Sequence, residues 1–220
     1  DVKATDVKAA LDKTFGVLPL VPRPAEPRFS EPPSRAQRRS VVKFDAAPRL
    51  YLAFRKPAPP SRDDAIFDVL DVILSDGTTG RLQKRLVFDE RLAQGVGVFT
   101  GPGVRLDNLF IISITPIAGV SLEKIEAAVM DELSRLAKEP VGDRELQKVR
   151  NRVGADFARA IESNSGLAST LSRAELLLGG WRYVLELPKE IDTLTPADVQ
   201  DAAKRYFVKE NSVVVTLERP

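Results

Sequence analysis

The sequence contains neither cysteine nor histidine, and these absences remove most of the side chains used for metal binding and nucleophilic catalysis. Without cysteine there is no disulfide, no thiolate nucleophile and no thiolate metal site. Zinc sites nearly always use histidine or cysteine, and a Ser-His-Asp triad requires its histidine. General acid–base chemistry would therefore fall to carboxylates, lysine or tyrosine. The lack of cysteine suits an oxidising or a reducing compartment equally well.

Long apolar runs and a charge imbalance are also missing. The apolar stretches are far shorter than the roughly 20 residues that a membrane-spanning helix needs. The 33 basic and 31 acidic residues are interspersed and give a net charge of +2. We therefore expect no membrane span and no electrostatic attraction to nucleic acid. The 220 residues are 43% apolar, which is an ordinary balance for a globular chain with a sizeable core.

Prolines indicate how the chain is divided, since ten of the sixteen lie between residues 19 and 60. A helical pattern at Thr5–Phe15 precedes them and ends at Gly16. We interpret residues 1–18 as the helical tail of a preceding domain, 19–39 as a semi-rigid proline-rich linker and 40–220 as a C-terminal domain. A proline-rich ligand for a partner domain is the alternative to a linker. Because the sequence starts at Asp1 without methionine, we expect a fragment of a longer chain.

Hydrophobic periodicity predicts strands and helices in similar numbers. Alternating apolar residues predict five strands, at residues 40–45, 49–55, 93–99, 106–115 and 212–218. Helical spacing predicts helices from Ser61, around Leu82–Leu86, at 121–138, from 142 to about 178 with a break near 163–166, at 181–187 ending before Pro188, and from Thr195 to Phe207. We expect the first two strands to form a hairpin through a turn at residues 46–48. The fold class predicted is α+β, a mostly antiparallel sheet of about five strands packed by helices on one face.

Two polar clusters resemble binding motifs but have simpler explanations. Asp63, Asp64, Asp68 and Asp71 fall in one helix, where a metal site is the alternative to a solvated helix face. We favour the solvated face, because acidic residues in a first turn complement the helix dipole. The loop Gly77–Arg81 lacks the Lys-Ser/Thr ending of a phosphate-binding loop and does not follow a strand. We interpret it as a turn between two helices.

We also interpret the remaining candidate residues as structural. We expect Trp181 and Tyr183 in the core or at an interface. We expect surface ion pairs between Glu90 and Arg91 and between Glu145 and Lys148. No catalytic residue and no metal ligand is predicted from these side chains.

Two glycines, Gly95 and Gly97, lie in a predicted strand, where glycine often marks a bulge or a close backbone approach. If that strand lies at an edge of the sheet, it could accept an extended peptide by main-chain pairing.

An ordered set of short motifs carries a resemblance to a known family. The motifs are Phe15–Pro19, Glu31–Pro33, Tyr51–Phe54, Asp63–Ala65, Gly80–Leu82, Leu86–Glu90 and Leu92–Gln94. In this order they resemble the second, C-terminal domain of a pitrilysin/insulinase-type zinc metallopeptidase subunit, similar to mitochondrial processing peptidase and its bacterial relatives. The resemblance implies a metallopeptidase-subunit-like α/β roll, with the zinc motif His-x-x-Glu-His in a first domain that this sequence lacks. It also implies that two such subunits close over a peptide.

One departure from the family pattern concerns substrate contact. In partner-type second domains of this family, an arginine and a tyrosine seven positions apart hold the substrate. The matching positions here are Val87 and Gln94, so the resemblance implies a subunit of the zinc-carrying type that works with an Arg/Tyr-bearing partner.

The function implied by the resemblance is that of a non-catalytic C-terminal domain in a zinc-dependent peptidase subunit. This domain would form part of the substrate chamber and of the subunit interface, with zinc only in the parent chain. The alternatives are a structural or partner subunit without peptidase activity and a stand-alone peptide-binding module. Bacterial relatives suggest a periplasmic or exported protein, with a cytoplasmic one as the alternative.

Overall fold

Five strands form one sheet in a computed structural model that describes residues 2–22 and 32–220. The strands are β1 (Arg38–Lys43), β2 (Arg49–Lys56), β3 (Ala93–Gly101), β4 (Asn108–Pro116) and β5 (Ser212–Glu218). Their order across the sheet is β1-β5-β2-β4-β3. Every neighbouring pair is antiparallel except β1 and β5. The α+β class and the mostly antiparallel five-stranded sheet are confirmed.

The helices are α1 (Ala4–Thr14), α2 (Arg62–Ser75), α3 (Arg81–Gln83), α4 (Leu122–Lys138), α5 (Asp143–Ala160), α6 (Asn164–Leu177), α7 (Tyr183–Thr193) and α8 (Pro196–Tyr206). A π-helix, Lys84–Asp89, continues α3, and a short 3₁₀ turn, Lys209–Asn211, precedes β5. The predicted break in the long helical pattern is confirmed, because α5 ends at Ala160 and Ser163 caps the start of α6. The prediction that Pro188 ends a helix is wrong. Pro188 lies inside α7, where Ile191 one turn later is buried and holds the helix against the core.

The predicted hairpin between β1 and β2 is also wrong, because β5 lies between these two strands. The burial pattern explains the arrangement. All six residues of β1 are exposed, and the strand carries basic residues at both ends, as is common at a sheet edge. In β5, Ser212, Val214 and Thr216 are buried, which suits an interior position. The strands that do form a hairpin are β3 and β4, which pair antiparallel and are joined by the residues from Gly101 to Asn108.

The core lies between one face of the sheet and helices α2, α4 and α8. Alternate residues of β2 and β4 are fully buried on this face, whereas those between them are mostly half-buried. Three aromatic rings, Phe67, Phe110 and Phe207, pack together at its centre, with ring centroids 5.1 to 6.1 Å apart. The capping box of Thr195 and Asp198 at the start of α8 agrees with the predicted helix start.

The N-terminal segment contributes nothing to this core. Helix α1 has no buried residue, and Leu11 and Phe15 are 49% and 64% exposed. Of the predicted linker, residues 23–31, including Pro24 and Pro27, lie outside the described residues. The division of the chain at residues 18 and 39 therefore stays a prediction.

Candidate functional site

The two positions predicted to correspond to a substrate-holding pair lie in different surroundings. Val87 belongs to the π-helix and packs against the core, where an apolar side chain cannot bind a polar substrate group. Gln94 is exposed at a bulge near the start of β3. The side chain of Val87 is therefore packed on the core, whereas that of Gln94 is exposed to solvent. A substrate role for either residue stays a prediction.

Gln94 lines a cavity of about 640 Å³ at one end of the sheet. The segment Pro116–Ser121, which connects β4 to α4, forms one wall, and Glu218 and Arg219 after β5 lie on another. The carboxylate of Glu218 is held by Lys43 at 2.7 Å, which lowers its pKa. The cavity therefore combines a partly apolar wall with a carboxylate, that of Glu218, which is already paired with Lys43.

Strand β3 forms one edge of the sheet, and neither backbone conformation nor space requires glycine at residues 95 and 97. Neither Gly95 nor Gly97 has a positive φ, and a Cβ atom added to either would meet nothing within 4 Å. Glycine inside a strand costs backbone entropy and often marks a place where another backbone approaches closely. This part of β3 is therefore open on the face of the sheet that the helices leave uncovered.

The same edge carries one side-chain contact to its backbone. The N–H of Val96 donates to the side-chain oxygen Oε1 of Gln83 at 3.1 Å. Gln83 is the last residue of α3, so the helix that precedes β3 bonds to the strand's outer edge. Sequence reasoning missed this contact, because nothing in the spacing of Gln83 distinguishes it from any surface glutamine.

The π-helix lies in the segment that carries the family-like motifs, and a charged network fixes it to α4. Glu132 of α4 is 3% exposed, and its carboxylate lies 3.4 to 3.8 Å from the guanidinium groups of Arg81, Arg85 and Arg135. Arg85 also bonds Glu90 and Asp131, both at 2.6 Å, which raises the pKa of Arg85. This network positions the helix and leaves no unpaired group for chemistry.

The two predicted ion pairs have different partners. Glu90 binds Arg85 rather than Arg91, because the π-helical turn brings positions five apart onto the same side. Glu145 binds Arg81 through two bonds of 2.6 and 2.9 Å rather than Lys148. The Arg81 side chain at the start of α3 reaches Glu145 in the first turn of α5 and takes the place predicted for Lys148.

The acidic cluster of α2 is only partly solvated, so the prediction of a solvated face is wrong for Asp64. Asp64 is 5% exposed and forms an ion pair with Lys56, which is 3% exposed. The first turn of α2 packs against the end of β2, and this contact removes both groups from water. Asp63 in the same turn instead binds the guanidinium of Arg205 with two bonds of 2.7 Å.

The sequence did contain a signal for this buried pair. The alternation of β2 places Lys56 on the same face as Leu50, Leu52 and Phe54, which are fully buried. A buried lysine requires a carboxylate partner, and Asp64 is the partner in the structure.

Two further groups lie beside this pair. The hydroxyl of Tyr183 donates to Asp64 Oδ2 at 3.3 Å, so Tyr183 joins α7 to α2. Burial, reinforced by the charge of Asp64, raises the pKa of Asp68 to about 7. Tyr183 thus lies between two helices of this chain, whereas Trp181 is 38% exposed and stacks with the guanidinium of Arg182, 4.6 Å from its ring. A role for either residue at an interface with another chain stays a prediction.

The residues of this cluster do not fit a zinc site. The chain has no histidine or cysteine, and the ammonium of Lys56 already neutralises Asp64. Across residues 2–22 and 32–220, no group of three or more Asp and Glu side chains converges as metal ligands would. The cluster therefore serves to join β2, α2 and α7.

Comparison with known proteins agrees with a fold that carries no active site of its own. The family described as the peptidase M16 inactive domain matches residues 1–153. The zinc protease PqqE of Helicobacter pylori is 25% identical over 194 residues, which cover 87% of this chain and 43% of that protein. This chain therefore spans less than half the length of that relative.

Solved structures share the fold. The crystal structure of a protease from Helicobacter pylori has a TM-score of 0.90 at 24% identity and covers 100% of this chain and 53% of its own. The periplasmic protease PqqL of Escherichia coli has a TM-score of 0.74 at 16% identity, covering 100% of this chain and 24% of its own. With the family match over residues 1–153, these likenesses show that the chain belongs to the peptidase M16 inactive-domain family, whose members are non-catalytic domains of zinc-protease-like proteins.

Proposed function

We propose that this chain is the non-catalytic C-terminal domain of a zinc-dependent peptidase subunit. In the parent chain it would form part of the wall of a chamber that encloses the substrate and part of the interface with a second peptidase-like subunit. The zinc motif would lie in the preceding domain. The relative PqqE, a zinc protease, is more than twice as long as its matched part, which leaves room for such a domain.

The observation that carries this proposal is the exposed apolar face of α1. Val7, Leu11 and Phe15 recur every four residues and are 43%, 49% and 64% exposed. A helix with an apolar stripe is stable in water only when that stripe is covered. The preceding domain is the nearest polypeptide that could cover it. Helix α1 would then be the last element of that domain, and residues 19–39 would connect the two.

The compartment and the partner form the finer part of the proposal. One structural relative, PqqL, is described as a periplasmic protease, and we propose an exported or periplasmic setting for the parent chain. No helix among the described residues is both long and apolar enough to cross a bilayer. The partner proposed is a peptidase-like subunit that supplies the arginine and tyrosine replaced here by Val87 and Gln94.

The decisive experiment uses the full parent chain. We expect about one zinc ion per chain by elemental analysis. We expect hydrolysis of an unstructured fluorogenic peptide that rises when a candidate partner subunit is added. The matched variant replaces the glutamate of the expected His-x-x-Glu-His motif with glutamine, which keeps zinc bound while removing the general base. A parent chain without zinc and without cleavage in any mixture would favour a structural subunit instead.

A second candidate function is the binding of an extended peptide at the edge of β3. The observation in its favour is that β3 is an outer strand, paired only with β4 among the described residues, so its other backbone edge faces away from the sheet. An added strand would be held by main-chain hydrogen bonds, and its side chains would set specificity. Perturbation of the amide resonances of β3 by an unstructured peptide would support this function. Unchanged resonances at saturating peptide would exclude it.

A further inference from the structure

Four side chains form a polar cluster where α2 meets the start of α7. The carboxylates of Asp64 and Asp68 lie one helical turn apart on α2, and the ammonium of Lys56 from β2 bonds Asp64. The hydroxyl of Tyr183, the first residue of α7, donates to Asp64 Oδ2 at 3.3 Å. Among the described residues this cluster therefore has two carboxylates for one ammonium, so it is neutral when one carboxylate holds a proton.

The proton of the cluster belongs to Asp68. Burial and the charge of Asp64 raise the pKa of Asp68 to about 7; the charge of Lys56 acts against the rise, and that of Asp71 adds to it. Burial and the charges of Asp64 and Asp68 raise the pKa of Tyr183, which therefore stays protonated and able to donate. The cluster is thus neutral below about pH 7 and gains one negative charge above it.

The cations of the other helices on α2 bond away from this cluster. Lys148 and Arg152 of α5 lie 3.0 and 3.4 Å from the carboxylate of Asp76, at the end of α2. Arg205 of α8 bonds Asp63 in the first turn. These cations are already paired, so the charge of the cluster depends on its own proton.

The first half of α7, residues 183–187, is weakly attached to the domain. None of these residues is fully buried; Leu187 packs against the core in part, and Leu185 is 44% exposed. A cavity of about 270 Å³ lies between this half and the start of α2, with Ala65 and Tyr183 in its lining. The hydrogen bond of the Tyr183 hydroxyl is therefore a contact on which the attachment depends.

Pro188 divides α7 into halves that are attached differently. Proline has no N–H, so the helical bond from residue 188 to the carbonyl of Val184 cannot form. The second half is fixed, because Ile191 is buried and Arg62 of α2 donates to Glu190 at 2.6 Å. A break in the helical hydrogen bonds thus separates a fixed half from a weakly attached one.

We propose that the first half of α7 is a pH-dependent latch, closed on α2 while Asp64 and Asp68 share a proton and open once both are ionised. Loss of the proton leaves a net charge beside groups that are 3% and 5% exposed, and such a charge must be hydrated. Because β2 is held by the core, water enters by displacing Tyr183.

The direction of the pH effect follows from the folded-state pKa of Asp68. That pKa lies above the ordinary 3.8, so the closed form binds a proton that a hydrated, open form releases. The latch is therefore closed at low pH and is lost as the pH rises through about 7.

The measurement is amide hydrogen exchange of residues 183–187 in the full parent chain at about pH 6 and about pH 8. Each rate is divided by the intrinsic chemical exchange rate at the same pH. A closed-state pKa of about 7 predicts that the open fraction rises about tenfold between these two pH values. Helix α8, in which Val199 and Ala202 are fully buried, is the internal reference and should keep its protection.

Three substitutions test the parts of the latch. Asp68→Asn keeps the shape of the side chain and cannot ionise, so exchange of residues 183–187 should no longer depend on pH. Tyr183→Phe removes the hydroxyl and should speed this exchange several-fold at about pH 6. Glu186→Gln is the matched control, because it removes an exposed carboxylate of the same half of α7 and should keep the tenfold rise.

The latch is supported by a rise confined to residues 183–187 that disappears in Asp68→Asn and persists in Glu186→Gln. A rise of less than about twofold in wild type would overturn it. So would a rise that persists in Asp68→Asn, because another group would then control the opening. An equal loss of protection in α8 would show unfolding of the whole domain and would also overturn the latch.

Discussion

Helices α1 and α4 carry the same kind of apolar stripe, but the stripe is buried in α4 and exposed in α1. In α4, Val129 and Leu133 are fully buried in the core, whereas in α1 Val7 and Leu11 are 43% and 49% exposed. Both stripes repeat at four residues, and both predicted helices form. The comparison teaches that periodicity marks a surface that needs a partner without saying whether the same chain supplies it.

Helices α5 and α6 show the same difference between buried and exposed apolar residues. In α5, Leu146 and Val149 are buried, but no later residue of that helix is. Helix α6 buries only Ala174, and its Leu176 is 69% exposed. Among the described residues, the packed centre thus contrasts with poorly covered helical segments in α1, the end of α5 and α6. Under the proposed function, we expect these segments to be where a preceding domain or a second subunit makes contact.

The largest effect is expected at the centre, where α2 joins the sheet. Replacing Asp64 by alanine leaves the ammonium of Lys56 buried without its partner and removes the acceptor for Tyr183. We expect the free energy of unfolding to fall by about 3–5 kcal/mol, measured by urea denaturation.

The neighbouring Asp63 provides the control. The side chain of Asp63 is 24% exposed and that of its partner Arg205 is 53% exposed, and the hydroxyl of Tyr206 also donates to Asp63. Asp63→Ala should therefore cost about 1–2 kcal/mol, less than Asp64→Ala. Equal losses for the two aspartates would mean that burial does not distinguish them.

The next largest effect on unfolding free energy is expected when the apolar stripes of α4 and α1 are each shortened by one side chain. Leu133→Ala empties a fully buried position and should cost about 2–5 kcal/mol, whereas Leu11→Ala in this chain should change the unfolding free energy by less than about 0.5 kcal/mol. In the parent chain, the cost of Leu11→Ala should rise if a preceding domain covers α1. A cost that stays near zero in the parent chain would contradict that cover.

An intermediate effect concerns pH and the acidic cluster. The folded-state pKa of Asp68, about 7, lies above its ordinary value of 3.8, because burial and the charge of Asp64 disfavour ionisation. The folded chain therefore holds a proton that the unfolded chain releases, so this contribution to stability is present at low pH and is lost as the pH rises through about 7. Asp68→Asn should raise the urea midpoint at about pH 8 and leave it nearly unchanged near pH 4.

Three charged or titratable groups face Asp68: the carboxylates of Asp64 and Asp71, and the ammonium of Lys56. The hydroxyl of Tyr183 also lies close enough for the charge of Asp68 to raise its pKa. A midpoint that shifts equally at both pH values would show that the amide stabilises by packing and not by removing a charge.

The smallest effect belongs to the open edge. Gly97→Ala adds a methyl group into empty space, so the free energy of unfolding should stay within about 0.5 kcal/mol of wild type or rise slightly. Gly80→Ala is the contrasting variant, because its Cβ would lie 2.5 Å from the backbone nitrogen of Asp76 and should destabilise. A large loss of unfolding free energy in Gly97→Ala would contradict the open space seen beside this residue.

The elements of the fold could be predicted well from local pattern, whereas their pairing could not. Strand alternation and the cap at Thr195 depend on residues close in sequence. The position of β5 between β1 and β2 depends on contacts about 175 residues apart, such as Arg38↔Val213, which no local pattern encodes. The π-helix was missed for a related reason, since Leu82 and Leu86 at helical spacing look the same whether the turn that follows is regular or wide.

For the candidate site, sequence reasoning found the glycines of β3 but neither Gln83 nor Lys56 as a partner. The glycines stand out by residue type, because glycine is unusual inside a strand. Gln83 becomes significant only when its oxygen is seen 3.1 Å from the Val96 nitrogen. Lys56 could have been found, since the alternation of β2 already placed it on the buried face.

The order of the sheet has a consequence for synthesis. Strand β5 (Ser212–Glu218) is the last strand along the chain, yet it lies between β1 and β2. While a ribosome makes this chain, β1 has no neighbour to pair with, and one edge of β2 stays bare, until β5 has emerged. Strand β1 is therefore the first strand of the sheet to be made and the last to be paired, because its neighbour is β5. Any domain ahead of it has the whole of this interval in which to fold unhindered.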